Sequence, residues 1–186
     1  MRYEQDMLRK LQLVELEILR DIDAVCRTHG IVYFLDSGSA LGAVRHGGFI
    51  PWDDDIDLGM LRADYERFLE VAPRALGDGY VVADPRKRTD QAGMFAKVWK
   101  RGTKFFTEET IDAGIEQGIF VDIFPYDPLH SNPVIARRQQ RMCRFWQSMS
   151  YLRYTKHITV PHGGLFGSVE RGACAVVHAG THALVN

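Results

Sequence analysis

A mixed α/β or α+β fold, with a small mixed sheet flanked by helices, is the class this sequence predicts. Three observations predict it. An amphipathic helical pattern opens the chain, short apolar runs recur between helical stretches at irregular spacing, and one of those runs carries a period-two alternation of aspartates and large apolar residues.

Taken in order, Leu8, Leu11, Glu15, Ile18, Ile22 and Val25 trace one helical face over residues 6–28, widened by Leu19 and Cys26. Gly30 is the stop, and His29 sits in the last turn, where a cation is favoured. Residues 31–35 read as a buried strand. They run into a turn at Asp36-Ser37-Gly38-Ser39, which also caps a short helix over 40–46. Gly47-Gly48 breaks that helix, and the acidic strand follows. Residues 62–76 form a second amphipathic helix on Tyr65, Phe68, Leu69 and Ala72, kinked or ended by Pro73. Residues 80–83 are a short strand and 85–91 a polar loop. Residues 94–99 and 104–107 read as strands joined by a turn at Arg101-Gly102. Residues 118–124 are a strong buried strand stopped by Pro125. Ser131 or Asn132 caps a third long helix that starts with Pro133 and runs to about Tyr154. Beyond it the pattern weakens, and residues 165–186 give only a vague helical signal.

Composition narrows the function. The 186 residues form one domain, or one domain plus an appendage, and the net charge of −1 gives no electrostatic case for nucleic acid as a partner. Cys26, Cys143 and Cys174 are odd in number and fit neither a zinc site nor a disulfide framework, so reduced thiols are expected. The N-terminal residues are charged rather than signal-like, and no stretch is long enough for a membrane span. The expected setting is the cytoplasm, or the inner face of the membrane.

The chemistry concentrates in Phe49-Ile50-Pro51-Trp52-Asp53-Asp54-Asp55-Ile56-Asp57-Leu58-Gly59-Met60, which packs four aspartates into five positions between apolar residues. Carboxylates crowded near a core need water or a cation. The apolar bracket, Trp52 included, argues against a freely solvated loop, and the glycine and glutamate of a calcium hand are not where one needs them. On a strand Asp55 and Asp57 share one face, a site for a hard cation such as Mg²⁺. Asp122 is the lone charge in Ile119-Phe120-Val121-Asp122-Ile123-Phe124. It is either a buried carboxylate satisfied by an amide or an arginine, or a third carboxylate for one or two Mg²⁺ ions. The crowded strand favours the second. Gly38-Ser39 offers backbone N–H groups to a phosphate, although such a pair alone is most often just a turn. The acidic strand returns sixteen residues after Ser39, which would set the two side by side. Arg45 either grips a phosphate or caps a helix C-terminus. Lys97, between Ala96 and Val98, either neutralises a phosphate or faces solvent. Arg137, Arg138, Arg141 and Arg144 read as a solvated helix face.

Ser37-Gly38-Ser39-Ala40-Leu41-Gly42-Ala43-Val44-Arg45-His46, the block from Gly47 to Met60, and the block from Gly118 to Pro125 resemble the LicD family of phosphorylcholine transferases, to which fukutin and fukutin-related protein are related. The resemblance covers roughly residues 6–130 and implies a nucleotidyltransferase-like fold for a domain over 1–154, with 155–186 a weakly patterned remainder. It implies Asp55, Asp57 and Asp122 as catalytic carboxylates, the same three with Asp53 as ligands of Mg²⁺ or Mn²⁺, and Gly38, Ser39, Arg45 and Lys97 on the substrate. It further implies a CDP-alcohol donor such as CDP-choline and a glycan or glycolipid acceptor. The family's tyrosine- and proline-rich C-terminal block has no counterpart in this sequence. Two other functions are compatible with the residues: a glycosyltransferase using the same Asp-x-Asp with a nucleotide-sugar, and a binding module that has lost catalysis.

Overall fold

The computed structural model describes residues 5–87, 93–105, 117–154, 172 and 174–176. Helix α1 (Gln5–His29) buries Leu8, Leu11, Ile18, Ile22, Val25 and Cys26, the face its periodicity predicts, together with the polar Gln12 and Glu15. Gly30 ends it in the left-handed region at φ 63°, and the N–H of Ile31 returns to Cys26 O at 2.9 Å.

The chain then enters a five-stranded sheet whose spatial order is β1 (Phe34–Leu35), β2 (Asp57–Leu61), β5 (Phe120–Tyr126), β4 (Ala96–Lys100) and β3 (Tyr80–Ala83). Strand β1 is only Phe34–Leu35, shorter than the five residues expected, and Val32 is 67 % exposed. The register explains this. Phe34 pairs with Gly59 antiparallel, so Ile31 would stand opposite Arg62, where the partner strand has already become a helix. Helix α2 (Ser37–His46) begins three residues earlier than predicted, because Asp36 caps it by accepting the Ser37 N–H at 2.8 Å. Gly38 and Ser39 are therefore its first turn rather than a loop before it. Gly47, at φ 65°, closes it.

Strand β2 (Asp57–Leu61) starts at Asp57, so Asp55 lies just ahead of the sheet. Trp52 is 77 % exposed in the turn before it, contrary to the enclosing role its neighbours suggested, whereas Ile56, Leu58 and Met60 are buried as expected. A turn closed by Asp53 N–H to Ile50 O turns the indole outward. Helix α3 (Arg62–Ala75) follows and ends two residues past Pro73. Strands β3 (Tyr80–Ala83) and β4 (Ala96–Lys100) pair antiparallel. Lys104 and Phe105 are not a strand, and the rest of the 104–107 prediction lies outside the described residues, as does the end of the 85–91 loop.

Central strand β5 (Phe120–Tyr126) pairs parallel with β2 and antiparallel with β4, and it runs through Pro125 instead of stopping there. Its pairing with β4 ends at Ile123, so the N–H that proline lacks has no β4 partner to lose. Helix α4 (Pro133–Tyr154) is capped by Asn132, whose Oδ1 accepts the Val134 N–H at 2.9 Å. Arg137, Arg138, Arg141 and Arg144 are exposed, but so are Met142, Phe145 and Trp146. The 155–186 stretch lies outside the described residues save 172 and 174–176.

Helices α1 and α3 pack on the sheet face formed by Leu58, Met60, Val98, Val121 and Ile123, and this is the core. Strand alternation turns Asp57, Lys97 and Asp122 to the other face. Cys26, Cys143 and Cys174 are free thiols, and among the described residues no helix is long and apolar enough to cross a membrane.

Helix α2 is held against the loop after it by Gly42, where a Cβ would lie 2.5 Å from Gly48 O and 2.9 Å from Ile50 N. Both contacts are backbone and cannot swing aside. Gly42→Ala is therefore expected to lower stability by about 1–3 kcal/mol, seen as a lower urea midpoint at unchanged m-value. A parental midpoint would mean the loop yields freely.

Candidate active site

The sheet builds the site as a row. In the β2–β5 register Asp57 stands beside Asp122, and in the β5–β4 register Asp122 stands beside Lys97. All three leave the same face. The Lys97 ammonium donates to both Asp122 oxygens, at 2.7 and 3.0 Å, and lies 3.6 Å from the centre of the Phe120 ring. Both side chains are largely enclosed, Lys97 at 14 % exposed and Asp122 at 10 %. Lys97 is thus not the solvent-facing residue that one reading of the sequence allowed, and here it neutralises a carboxylate.

The first turn of α2 is tied to this row. Ser39 Oγ accepts the Asp57 N–H at 2.9 Å, and Asp36 N–H donates to Asp57 O at 2.9 Å. Asp36 Oδ2 also accepts the Tyr126 hydroxyl at 2.7 Å, which joins the end of β5 to the same turn. Ser37 holds a left-handed φ of 46°, the one such non-glycine residue among those described, a local strain typical of functional turns. The N–H groups of Gly38 and Ser39, being in a first turn, have no intrahelical acceptor and face outward from the helix end, where a phosphate oxygen is favoured.

The loop before β2 completes the cluster. Asp53 packs on Gly38, whose missing Cβ would stand 2.9 Å from Asp53 Oδ2. The Asp53 carbonyl accepts the Gln12 side-chain amide of α1 at 2.9 Å. Asp53 Oδ2 and Glu15 Oε2 are both buried without a hydrogen-bond partner among the described residues.

Electrostatics follow from this crowding. Burial, then Asp55 and Asp122, push the Asp57 carboxyl up to about 7. Burial raises Asp53 and Asp55 as well, each helped by neighbouring aspartates, with Lys97 opposing at Asp55. Asp122 rises to about 6 through burial, against the pull of Lys97. Glu15 is pushed up to about 9 by burial and then by Asp55, Asp54, Asp53 and Asp122. Among the described residues one ammonium, that of Lys97, thus answers a group of carboxylates that burial and mutual repulsion disfavour.

The carboxylates expected to act together, Asp53, Asp55, Asp57 and Asp122, are brought into one electrostatic neighbourhood with Gly38, Ser39 and Lys97. Among the described residues no three carboxylates already converge as a finished cation cage. The donor set nonetheless suits a hard divalent ion, since it is all oxygen, excess in negative charge, and leaves two buried carboxylate oxygens unanswered. Arg45 is not brought in. It is exposed near the C-terminus of α2, about 9 Å along the axis from Ser39, and makes no hydrogen bond or ion pair to these groups among the described residues. Glu15, Gln12, Asp36 and Tyr126 were not assigned to the site from sequence. Only Glu15 left a signal, as the lone charge on an otherwise apolar helical face.

Comparison with known proteins agrees with this geometry. Residues 30–165 match the family model described as LicD/FKTN/FKRP, nucleotidyltransferase domain. The lipopolysaccharide cholinephosphotransferase LicD of Haemophilus influenzae is 39 % identical over 129 residues, 69 % of this chain and 47 % of that protein. The ribitol 5-phosphate transferase FKRP of Homo sapiens is 32 % identical over 114 residues, 60 % of this chain and 20 % of that protein. The chain thus spans about half the length of the first and a fifth of the second. With the acidic row, the capped α2 turn and most of the chain falling within that model, this chain belongs to the LicD/FKTN/FKRP nucleotidyltransferase-domain family.

Proposed function

We propose that this domain serves a Mg²⁺- or Mn²⁺-dependent transferase that moves a substituted phosphate, such as phosphocholine, from a CDP-alcohol to a hydroxyl of a cell-surface glycan or glycolipid. The observation that supports this most is the seating of the α2 first turn against the carboxylate row, through Ser39 Oγ and the Asp57 N–H. It sets first-turn N–H groups beside carboxylate oxygens, the pairing that a phosphate and a cation together would use. The relatives' cholinephosphate and ribitol phosphate activities supply the class of group moved.

Asp55 and Asp57 would hold the ion, with Asp53 and Asp122 completing the oxygen set. A bound divalent ion supplies Lewis-acid stabilisation to the diphosphate and to the departing CMP. The N–H groups of Gly38 and Ser39 orient a phosphate oxygen. The acceptor oxygen bonds to the phosphorus that carries the alcohol. The bond from that phosphorus to the bridging oxygen breaks, and CMP leaves with its electron pair. The acceptor's proton passes to Asp122, which Lys97 keeps in place.

Product analysis tests the reading: CDP-choline or CDP-ribitol with Mg²⁺ should release CMP, whereas release of a nucleoside diphosphate from a UDP-sugar would make this a glycosyltransferase. Thermal shift gives an independent check. The ion alone should stabilise weakly, because Mg²⁺ fills open positions with water and substrate phosphates. Ion and CDP-alcohol together, at about a hundredfold excess over Kd, should add about 2.7 kcal/mol, a rise of roughly 5–10 °C. No shift with any CDP-alcohol would leave the binding-module reading without a nucleotide and this one without a donor.

A further inference from the structure

We propose that Glu15 extends the cation site from the sheet to helix α1, taking a divalent ion together with Asp53 on the core side of the acidic loop. The proposal rests on the cation-dependent reading above, and it concerns a residue outside the stretch matched by the family model.

Glu15 is 2 % exposed, on a face whose neighbours one turn on are Ile18 and Leu19. A carboxylate there loses its hydration, and its Oε2 finds no hydrogen-bond donor among the described residues. A leucine or methionine would suit that face better if packing were its only task. The charged groups that act on Glu15 most strongly are Asp55, Asp54 and Asp53 of the loop, then Asp122.

One contact, made by a neighbour of Glu15, ties this face of α1 to that loop. Gln12 lies three residues earlier on the same face of α1, is buried, and donates to the Asp53 carbonyl at 2.9 Å. Helix and loop are therefore pinned at this point. The second unanswered buried carboxylate oxygen, Asp53 Oδ2, belongs to the residue that Gln12 anchors. Two buried carboxylate oxygens with no donor call for a cation between helix and loop. Since the ligands are hard oxygens, Mg²⁺ or Mn²⁺ fits and a soft metal does not.

The experiment is a Mn²⁺ titration followed by electron paramagnetic resonance, on the full chain without substrate. It uses the parent, Glu15→Gln, Glu15→Met and Asp57→Asn, with melting temperatures measured in chelator. Both Glu15 variants should weaken Mn²⁺ binding about 10-fold or more while melting no lower than the parent. Parental Mn²⁺ affinity in both variants overturns the proposal, and so does a lower chelator melting temperature in both, since Glu15 would then serve the fold. Affinity lost in Asp57→Asn but kept in the Glu15 variants removes Glu15 alone and leaves the cation-dependent reading standing. A parent that binds no Mn²⁺ overturns both.

Discussion

Asp57→Asn and Asp122→Asn are each expected to reduce transfer about 100-fold or more, yet to move the metal-free melting temperature in opposite directions. Asp57 is a crowded carboxylate pushed up to about 7, with no cation in contact among the described residues, so at slightly alkaline pH the fold holds it ionised against burial and against Asp55 and Asp122. Neutral asparagine relieves that, and a rise of a few degrees follows, modest because the group is part exposed and solvent screens it. Asp122 is different. Its carboxylate takes both bonds of the enclosed Lys97 ammonium. Breaking an enclosed pair by removing one partner costs about 3–5 kcal/mol. Asparagine Oδ1 can still accept one bond, so a loss near 3 kcal/mol is expected, a fall of roughly 6–12 °C. Calorimetry in chelator and CMP release in Mg²⁺ measure the two effects separately. A rise in melting temperature for both variants would show that Lys97 does not depend on Asp122. Parental turnover in both would remove the row from the chemistry.

Much of this was legible in the sequence, for reasons that differ residue by residue. Local patterns transferred well: α1, α3, β3 and the Asn132 cap follow from periodicity and capping within a few residues of chain. The carboxylates of the site were legible because an ionised group among Ile119, Phe120, Val121 and Ile123 is costly without a purpose. What escaped depends on partners distant in sequence. The shortness of β1 is set by where β2 turns into α3, and the passage of β5 through Pro125 is set by where β4 begins. Lys97 could not be matched with Asp122 without the β4–β5 register, which aligns residues twenty-five apart. Trp52 misled because large apolar residues in turns can point to solvent, and one sequence carries no sign of which do. Gly38 looked like a loop glycine. Its reason lies in the carboxylate of Asp53, which takes the space a Cβ would need, and in a helix start moved forward by the Asp36 cap.

The stability of the metal-free protein should fall as pH rises from about 5 to about 9, and saturating Mg²⁺ should flatten or reverse that slope. The sign follows from the raised carboxyls. Glu15 goes from an ordinary 4.5 to about 9 and Asp57 from 3.8 to about 7. Between each pair of values the folded state binds the proton and the unfolded state does not. Deprotonation therefore favours unfolding, so the stability present below the unfolded values is lost as pH climbs through the folded ones. The acid side of the optimum is set by the opposite case. Asp23, Asp84 and Asp127 are held below the usual range chiefly by hydrogen bonds from Arg27, Arg86 and Arg62, and they withdraw their support only as pH drops below about 4. A tenfold difference in proton affinity between the folded and unfolded states is worth about 1.4 kcal/mol, and with Asp57 discounted for solvent screening the loss across the window is on the order of 5 kcal/mol. A divalent ion binds the ionised carboxylates of the folded state and not the scattered ones of the unfolded chain, so its stabilisation grows with pH where the protein alone weakens. Urea midpoints at about pH 5 and about pH 8.5, in chelator and in Mg²⁺, give the four values needed. A chelator midpoint higher at the alkaline pH would mean that these carboxyls are not held neutral by the fold. Parallel slopes with and without Mg²⁺ would mean that the ion does not bind where they are.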